Sequence, residues 1–166
     1  MKNEEDIREF WGTSDGSCVM KYTSSRGSVG LKVCNSLEEC RRQYDKLRAS
    51  TNYDGEANVP ILIQELMTGD EYAVNTVSCE GRHVVTDIYR YRLSHFNGHT
   101  LYDSELVTDE SCAPPGLLEY AKAVLDATGV ANGISHSEFF MGPDGPVLVE
   151  TNPRMMGPSQ SEDYEN

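Results

Sequence analysis

Hydrophobic and polar residues alternate along the middle of the chain in a pattern that predicts strands. Residues 71–79 and 83–93 each alternate with a period of two, and Glu80 and Gly81 supply a turn between them. A nearly continuous apolar run at residues 59–67 predicts a strand before them, and we interpret the three strands as a meander. The polar segment at residues 95–104 is interpreted as an exposed loop.

The flanking segments predict helices and two more strands. Ser36 and Glu39 have the spacing of a capping box, and apolar residues then follow helical spacing to about residue 50. Pro114 and Pro115 predict the start of a second helix, which ends before Gly129. A short acidic helix is predicted at residues 3–11, and strands are predicted at residues 18–22 and 31–34.

Residues 133–154 read as two apolar strands around the turn sequence Gly-Pro-Asp-Gly at residues 142–145. Proline suits the second position of a type I turn, and Gly145 suits the left-handed position of a three-residue loop. With that loop, counting back along both strands places Glu138 opposite Glu150. A two-residue loop would place the two glutamates on opposite faces.

A cation explains why two carboxylates would share one face of this hairpin. Asn152 shares the face of Glu150, and His136 shares that of Glu138, because side chains alternate along a strand. Like charges directly opposite each other destabilise a sheet, whereas Mg²⁺ and Mn²⁺ favour oxygen ligands. Arg154 follows as a planar donor suited to phosphate or carboxylate. The alternative is a solvated strand face that happens to be acidic.

Other cations and a glycine-rich loop are candidates for contact with an anionic ligand. Lys21 lies inside an apolar strand, either as a nucleotide contact or as an edge-strand lysine. The following loop, residues 23–30, suits either a phosphate cover or a plain hairpin, and it matches neither the Walker A pattern nor the dinucleotide fingerprint. Arg90 and Arg92 share one face of their strand, where they meet either an anion or neighbouring acids.

Composition excludes several classes of function. The chain has 166 residues and a formal charge of −13, which argues against non-specific binding to nucleic acid or anionic membranes. No apolar run approaches the roughly 18 residues of a membrane helix, and the N-terminal residues lack a signal-peptide pattern, so a cytoplasmic protein is expected. The five cysteines are scattered, which favours reduced, mostly buried thiols over a disulfide framework or a zinc site.

Taken together, the order of these features resembles the ATP-grasp superfamily, in its carboxylate–amine ligase branch. The chain is similar to the ATP-binding domains of biotin carboxylase, carbamoyl phosphate synthetase and D-alanine ligase. The motifs that carry the resemblance are Gln-Glu-Leu-Met-Thr-Gly-Asp-Glu-Tyr at residues 64–72, His-Ser-Glu-Phe at 136–139 and Gly-Pro-Val-Leu-Val-Glu-Thr-Asn-Pro-Arg at 145–154. The resemblance implies an α+β fold, with a small lid at residues 13–58 and a larger antiparallel sheet at residues 59–160.

The resemblance also implies roles for individual residues. The Mg²⁺ ligands would be Glu138, Glu150 and Asn152, and Arg154 would anchor phosphate or substrate. Arg90 or Arg92 would steady the terminal phosphate of ATP. The nucleotide contacts would be Lys21, the phosphate-covering loop with Arg26, Gly27, Ser28 and Gly30, the hinge residues Glu65 and Leu66 beside adenine, and Glu71 on the ribose.

The activity implied is an ATP- and Mg²⁺-dependent ligase that joins a small carboxylate to an amine through an acylphosphate. Relatives carry an N-terminal domain before the segment that contains Lys21, so a fragment of a larger ligase is expected. Its partner would be the missing N-terminal part or a second copy of the chain. Two alternatives stay open: a non-catalytic nucleotide-binding module, and a structural domain with an acidic surface hairpin.

Overall fold

The computed structural model describes residues 3–25, 29–96, 99–107 and 110–157, with the backbone alone described for residues 93–96 and 99–104. The chain divides into two compact units, Met1–Leu66 and Met67–Asn166. Each unit combines helix with antiparallel sheet, so the expected α+β class is confirmed. Within the described residues, no helix has the length and apolar character needed to cross a membrane.

The first unit packs two helices with a three-stranded antiparallel sheet. Asn3 and Ser36 cap the two helices by accepting hydrogen bonds from backbone N–H groups of the first turn. The central strand buries alternate residues, Cys18, Met20 and Tyr22, in the core of this unit. In chain order the elements are α1 Glu4–Thr13, β1 Cys18–Tyr22, β2 Lys32–Cys34, α2 Leu37–Arg48 and β3 Ile61–Glu65, with the sheet order β2-β1-β3.

The position of β3 corrects the expected meander and the expected boundary after residue 58. β3 pairs with β1, with Lys21 opposite Leu62, and it therefore belongs to the first unit. An apolar run shows that a strand is buried but does not show which sheet it joins. The boundary between the two units accordingly lies after Leu66.

The second unit is a five-stranded antiparallel sheet with one helix packed on it. Alternate apolar residues of β4, with partners on β5 and β7, form a core with Leu117, Ala121 and Val124 of the helix. Gly129 ends this helix with a positive φ, as expected. The elements are β4 Asp70–Cys79, β5 Arg82–Phe96, β6 His99–Val107, α3 Leu117–Thr128, β7 Gly133–Gly142 and β8 Gly145–Asn152, in the sheet order β6-β5-β4-β7-β8.

The segment interpreted as an exposed loop is instead part of a hairpin. β5 continues to Phe96, and β6 begins at His99 and pairs with it. Backbone hydrogen bonds hold such a hairpin without an apolar alternation, so polar sequence alone did not reveal these strands.

Three of the five cysteines meet in the core of the first unit. The sulfur atoms of Cys18, Cys34 and Cys40 lie within 4.8 Å of one another, and the Sγ atoms of Cys18 and Cys40 are 3.4 Å apart. Burial raises the pKa of Cys34 to about 11 and that of Cys40 to about 12. These thiols are therefore protonated at neutral pH. Cys79 and Cys112 are exposed free thiols.

Candidate functional site

The β7–β8 hairpin brings Glu138 directly opposite Glu150, as the sequence predicted. The turn that achieves this differs from the predicted one. Gly142 pairs with Gly145, so the turn has two residues rather than three. By itself that turn would have placed the two glutamates on opposite faces.

A β-bulge on β8 restores the pairing. Phe139 lies opposite Leu148, the next pair is Glu138 and Glu150, and Val149 between them has no partner on β7. One extra residue on a strand shifts every later side chain to the other face. The bulge thereby places Glu150 and Asn152 on the face that carries Glu138.

A partly buried polar network connects Glu138 to the neighbouring strands. His136 is only 2% exposed, with its Nδ1 2.8 Å from the Oδ1 of Asn75 and its Nε2 3.1 Å from the Oε1 of Glu138. The Nδ2 of Asn75 donates to the Oδ1 of Asp87 at 3.0 Å, which fixes the orientation of the amide. The His136 ring therefore bridges Asn75 and Glu138 through its two nitrogens.

Tyr91 is a second donor to the same carboxylate. Its hydroxyl lies 3.5 Å from the Oε1 of Glu138. Burial, and then the charge of Glu138, raise the pKa of Tyr91, while the charge of Arg154 opposes that rise. The hydroxyl therefore stays protonated and able to donate. On β8, the Nδ2 of Asn152 donates to the Oε1 of Glu150 at 2.9 Å.

The strand pairing divides the predicted residues of the second unit between two faces. Glu71 pairs with both Tyr91 and Phe140, so it lies on the face of Glu138, together with Tyr89. Arg90 pairs with Tyr72, whose side chain belongs to the core beneath α3 on the other face.

Arg90 and Arg92, one of which the resemblance assigns to the terminal phosphate of ATP, do not lie beside the carboxylates. Both arginines lie on the opposite face of the sheet from Glu138, because residues two apart on a strand share a face. The Nη2 of Arg90 donates to the Oδ2 of Asp70 at 2.7 Å, and Arg92 forms a close ion pair with Glu105. The sequence left open whether these arginines bind an anion or pair with neighbouring acids, and in the structure both of them pair with acids.

The remaining predicted residues of the first unit lie on its central strand and at its edges. Lys21 is on the central strand rather than an edge strand, and it faces away from the buried residues Met20 and Tyr22. Gly30 has a φ of +82°, and a Cβ there would lie 2.7 Å from the ring of Tyr22, so its glycine has a packing role. Glu65 ends β3, and Leu66 follows it. Arg26, Gly27 and Ser28 lie outside the described residues.

Two further features lie near Tyr91. Arg154 is exposed, and its Nη1 donates to the carbonyl of Met155 at 2.9 Å. A depression of about 530 Å³ at the start of β4 is lined by Glu71, Tyr91 and Phe140 from the Glu138 face, and by both arginines. The sequence did not reveal Asn75, Asp87 and Tyr91 as neighbours of the carboxylates, because their contacts depend on how β4 pairs with β5 and β7.

Comparison with known proteins agrees with this arrangement of elements. Residues 14–163 match the sequence profile of the ATP-grasp domain. The chain belongs to the ATP-grasp family. The resemblance inferred from the motifs is thus confirmed, and so is the fold that it implied.

Among curated ATP-grasp relatives, dapdiamide A synthase of Enterobacter agglomerans is 29% identical over 140 residues, which cover 84% of this chain and 33% of that protein. Carnosine synthase 1 of Mus musculus is 26% identical over 174 residues, covering 95% of this chain and 20% of that protein. The chain therefore spans a third or less of the length of these two relatives.

Solved structures show the same fold at low sequence identity. The biotin carboxylase domain of Hydrogenobacter thermophilus 2-oxoglutarate carboxylase, solved in complex with MgADP, superposes with a TM-score of 0.72 at 14% identity. That match covers 93% of this chain and 34% of that structure. An L-amino acid ligase from Bacillus licheniformis gives a TM-score of 0.64 at 20% identity, covering 84% and 34% of the two chains.

Proposed function

We propose that this ATP-grasp chain is the nucleotide- and metal-binding part of a ligase that uses ATP and Mg²⁺ to join a small carboxylate, such as an amino acid, to an amine. The observation that carries the proposal is the directly opposed pair Glu138 and Glu150, held in a polar network on one face of the sheet. The names of relatives such as dapdiamide A synthase, carnosine synthase and L-amino acid ligase support the same class of reaction.

The residues present fit a hard divalent cation. Glu138, Glu150 and Asn152 offer only oxygen ligands, from two adjoining strands, and all three side chains are half-buried. Mg²⁺ is usually held by one or two carboxylates together with substrate phosphates. Bound there, the cation would offset negative charge on the phosphoryl group being transferred.

The other residues receive proposed roles that follow from their chemistry. The exposed guanidinium of Arg154 would bind phosphate or the substrate carboxylate. Glu71, on the same face as Glu138, would accept hydrogen bonds from ribose hydroxyls. In the first unit, the proposed nucleotide contacts are Lys21, Arg26, Gly27, Ser28, Gly30, Glu65 and Leu66. Lys21→Ala tests this proposal, because the substitution should lower the affinity for ATP.

The proposed reaction has two steps. A carboxylate oxygen of the substrate attacks the γ-phosphorus of ATP, which releases ADP and leaves an acylphosphate. The amine nitrogen then attacks the acyl carbon, phosphate leaves, and the amine loses a proton as the amide forms. Exclusion of water from this site would protect the acylphosphate from hydrolysis.

Calorimetry of ATP binding with and without Mg²⁺ tests the site. We expect ATP to bind more tightly with Mg²⁺, and we expect Glu150→Gln to lose this increment. Undiminished Mg²⁺-dependent binding in that variant would refute the proposed metal site. Phosphate release from mixtures of amino acids and amines then tests the reaction: release that depends on both substrates supports a ligase, whereas tight binding without release identifies a nucleotide-binding module.

A further inference from the structure

We propose that His136 is a positioning residue, which orients the carboxylate of Glu138 so that one defined oxygen faces the metal. This inference rests on the function proposed above for the carboxylate pair. It concerns a residue that would touch neither the metal nor the nucleotide.

Burial separates the role of His136 from that of Glu138. The side chain of His136 is 3% exposed and that of Glu138 is 21% exposed. Both ring nitrogens of His136 are already engaged, one by Asn75 and the other by Glu138. A ligand on the surface of the sheet would therefore contact the carboxylate of Glu138 and not the ring of His136. Any effect of His136 on the ligand is then exerted through Glu138.

The ring orientation of His136 is fixed by a chain of contacts across three strands. Asn75 on β4 lies between His136 on β7 and Asp87 on β5. The other carboxylate oxygen of Asp87 accepts from the hydroxyl of Thr86 at 2.5 Å. Because His136 is buried and both of its ring nitrogens are engaged, the imidazole cannot rotate without breaking two hydrogen bonds.

This anchoring selects which oxygen of Glu138 is presented. The contacts from His136 and Tyr91 both end on Oε1. The second oxygen, Oε2, takes part in neither of these contacts, and we infer that it is the oxygen presented to the metal. Hydrogen-bonded partners of this kind typically change metal affinity by about 10- to 100-fold when they are removed.

Three substitutions separate the contact with Glu138 from the contact with Asn75. In His136→Gln, the side-chain amide nitrogen reaches about as far as Nε2 and still donates to Glu138. In His136→Asn, the shorter side chain keeps only the contact with Asn75, and His136→Phe keeps neither. Mg²⁺ and Mn²⁺ are the probes, titrated calorimetrically at fixed ATP, with ATP affinity in the absence of metal measured alongside.

We expect His136→Asn and His136→Phe to weaken metal-dependent ATP binding by about 10- to 100-fold while metal-free ATP affinity stays unchanged. His136→Gln should retain most of the metal dependence. If His136→Phe fails to fold, the comparison of the Gln and Asn variants still decides, because only one of them keeps a donor to Glu138.

His83 provides a matched control on the same sheet. Its Nδ1 lies 2.7 Å from the Oγ of Ser78, its Nε2 lies 3.2 Å from the Oδ1 of Asp126, and its side chain is 4% exposed. His83→Asn removes a comparable buried histidine that does not contact either glutamate, so it should leave metal dependence at the wild-type value.

The outcomes distinguish this inference from the function on which it rests. Wild-type protein without metal-dependent ATP binding would overturn both. Normal wild-type binding with unchanged metal dependence in His136→Asn would overturn the positioning role alone. An equal loss in His136→Asn, His136→Gln and His83→Asn would also overturn it, because the effect would then be general to the sheet.

Discussion

The opposed carboxylates Glu138 and Glu150 repel each other, and this repulsion does not benefit the stability of the hairpin. Like charges directly across a sheet are destabilising, on a scale of about 0.2–1 kcal/mol for such pairs. Glu150→Gln removes one charge and still accepts a hydrogen bond from Asn152. We expect the metal-free variant to unfold in urea with a free energy higher than wild type by up to about 1 kcal/mol.

Glu9→Gln is the control for that measurement, because Glu9 is an exposed glutamate on α1 of the first unit. It should change the free energy of unfolding by less than about 0.5 kcal/mol. If Glu150→Gln proves as neutral as the control in stability and keeps full metal-dependent binding, the acidic face is ordinary solvated surface.

The buried thiols predict a dependence of stability on pH. Burial is the chief cause that raises the pKa of Cys40 to about 12, from an ordinary value of 9.0. The unfolded chain therefore loses this proton at lower pH than the folded protein does. The stability contributed is complete below pH 9 and declines as the pH rises toward 12.

We expect urea unfolding measured across this range to show a shallower decline in Cys40→Ala than in wild type, although the variant starts from a lower stability. Cys79→Ala changes an exposed thiol and should reproduce the wild-type slope. Identical slopes in all three proteins would contradict the assignment of a raised pKa to the buried thiol.

At the scale of elements, the β7–β8 turn depends on Gly145. Its φ is +118°, a conformation that side-chain-bearing residues rarely adopt, and no heavy atom lies within 4 Å of the position a Cβ would take. Gly145→Ala therefore adds backbone strain without a clash, and we expect thermal unfolding to report a loss of about 1–2 kcal/mol. Gly142→Ala, where φ is not positive, should be nearly neutral.

Strand periodicity and helix caps were readable from the sequence because they are local. Ser36 caps α2 and Gly129 ends α3, as their sequence neighbours predicted. The partner of β3 was not readable, since Lys21 and Leu62 meet across 41 positions of sequence. The β5–β6 hairpin was missed because its backbone pairing does not need an apolar alternation.

The same division holds for the candidate site. Glu138 and Glu150 lie close in sequence on one hairpin, so counting along two strands brought them together. Asn75 meets His136 only because β4 lies beside β7, which no local pattern specifies. Spacing placed Arg90 and Arg92 on one face of their strand, but it could not show that this face lies opposite the one that carries Glu138.

At the scale of the whole molecule, the division after Leu66 predicts that each of the two units unfolds locally without the other. Cys18, Cys34 and Cys40 are buried in the first unit, whereas Cys79 and Cys112 are exposed in the second. Leu47→Ala removes a core side chain of the first unit, at a cost of about 2–5 kcal/mol. We expect it to accelerate thiol labelling of the three buried cysteines and to leave Cys79 and Cys112 unchanged.

Val124→Ala is the matched change in the core of the second unit. It should not accelerate labelling of the three buried thiols, as followed by mass spectrometry of each cysteine-containing peptide. Equal acceleration by both substitutions would show that the chain opens as one cooperative body.

The unpaired Val149 also bears on how sequences with this hairpin diverge. Because it is the extra residue of the bulge, its deletion would join Leu148 to Glu150 and leave Glu150 opposite Glu138. We expect the Val149 deletion to keep metal-dependent ATP binding in calorimetry, whereas loss of binding would show that the bulge itself shapes the site. The number of residues between the two carboxylates could then differ by one among related sequences. A sequence-motif search that requires a fixed spacing between the two glutamates would miss relatives that lack the bulge residue.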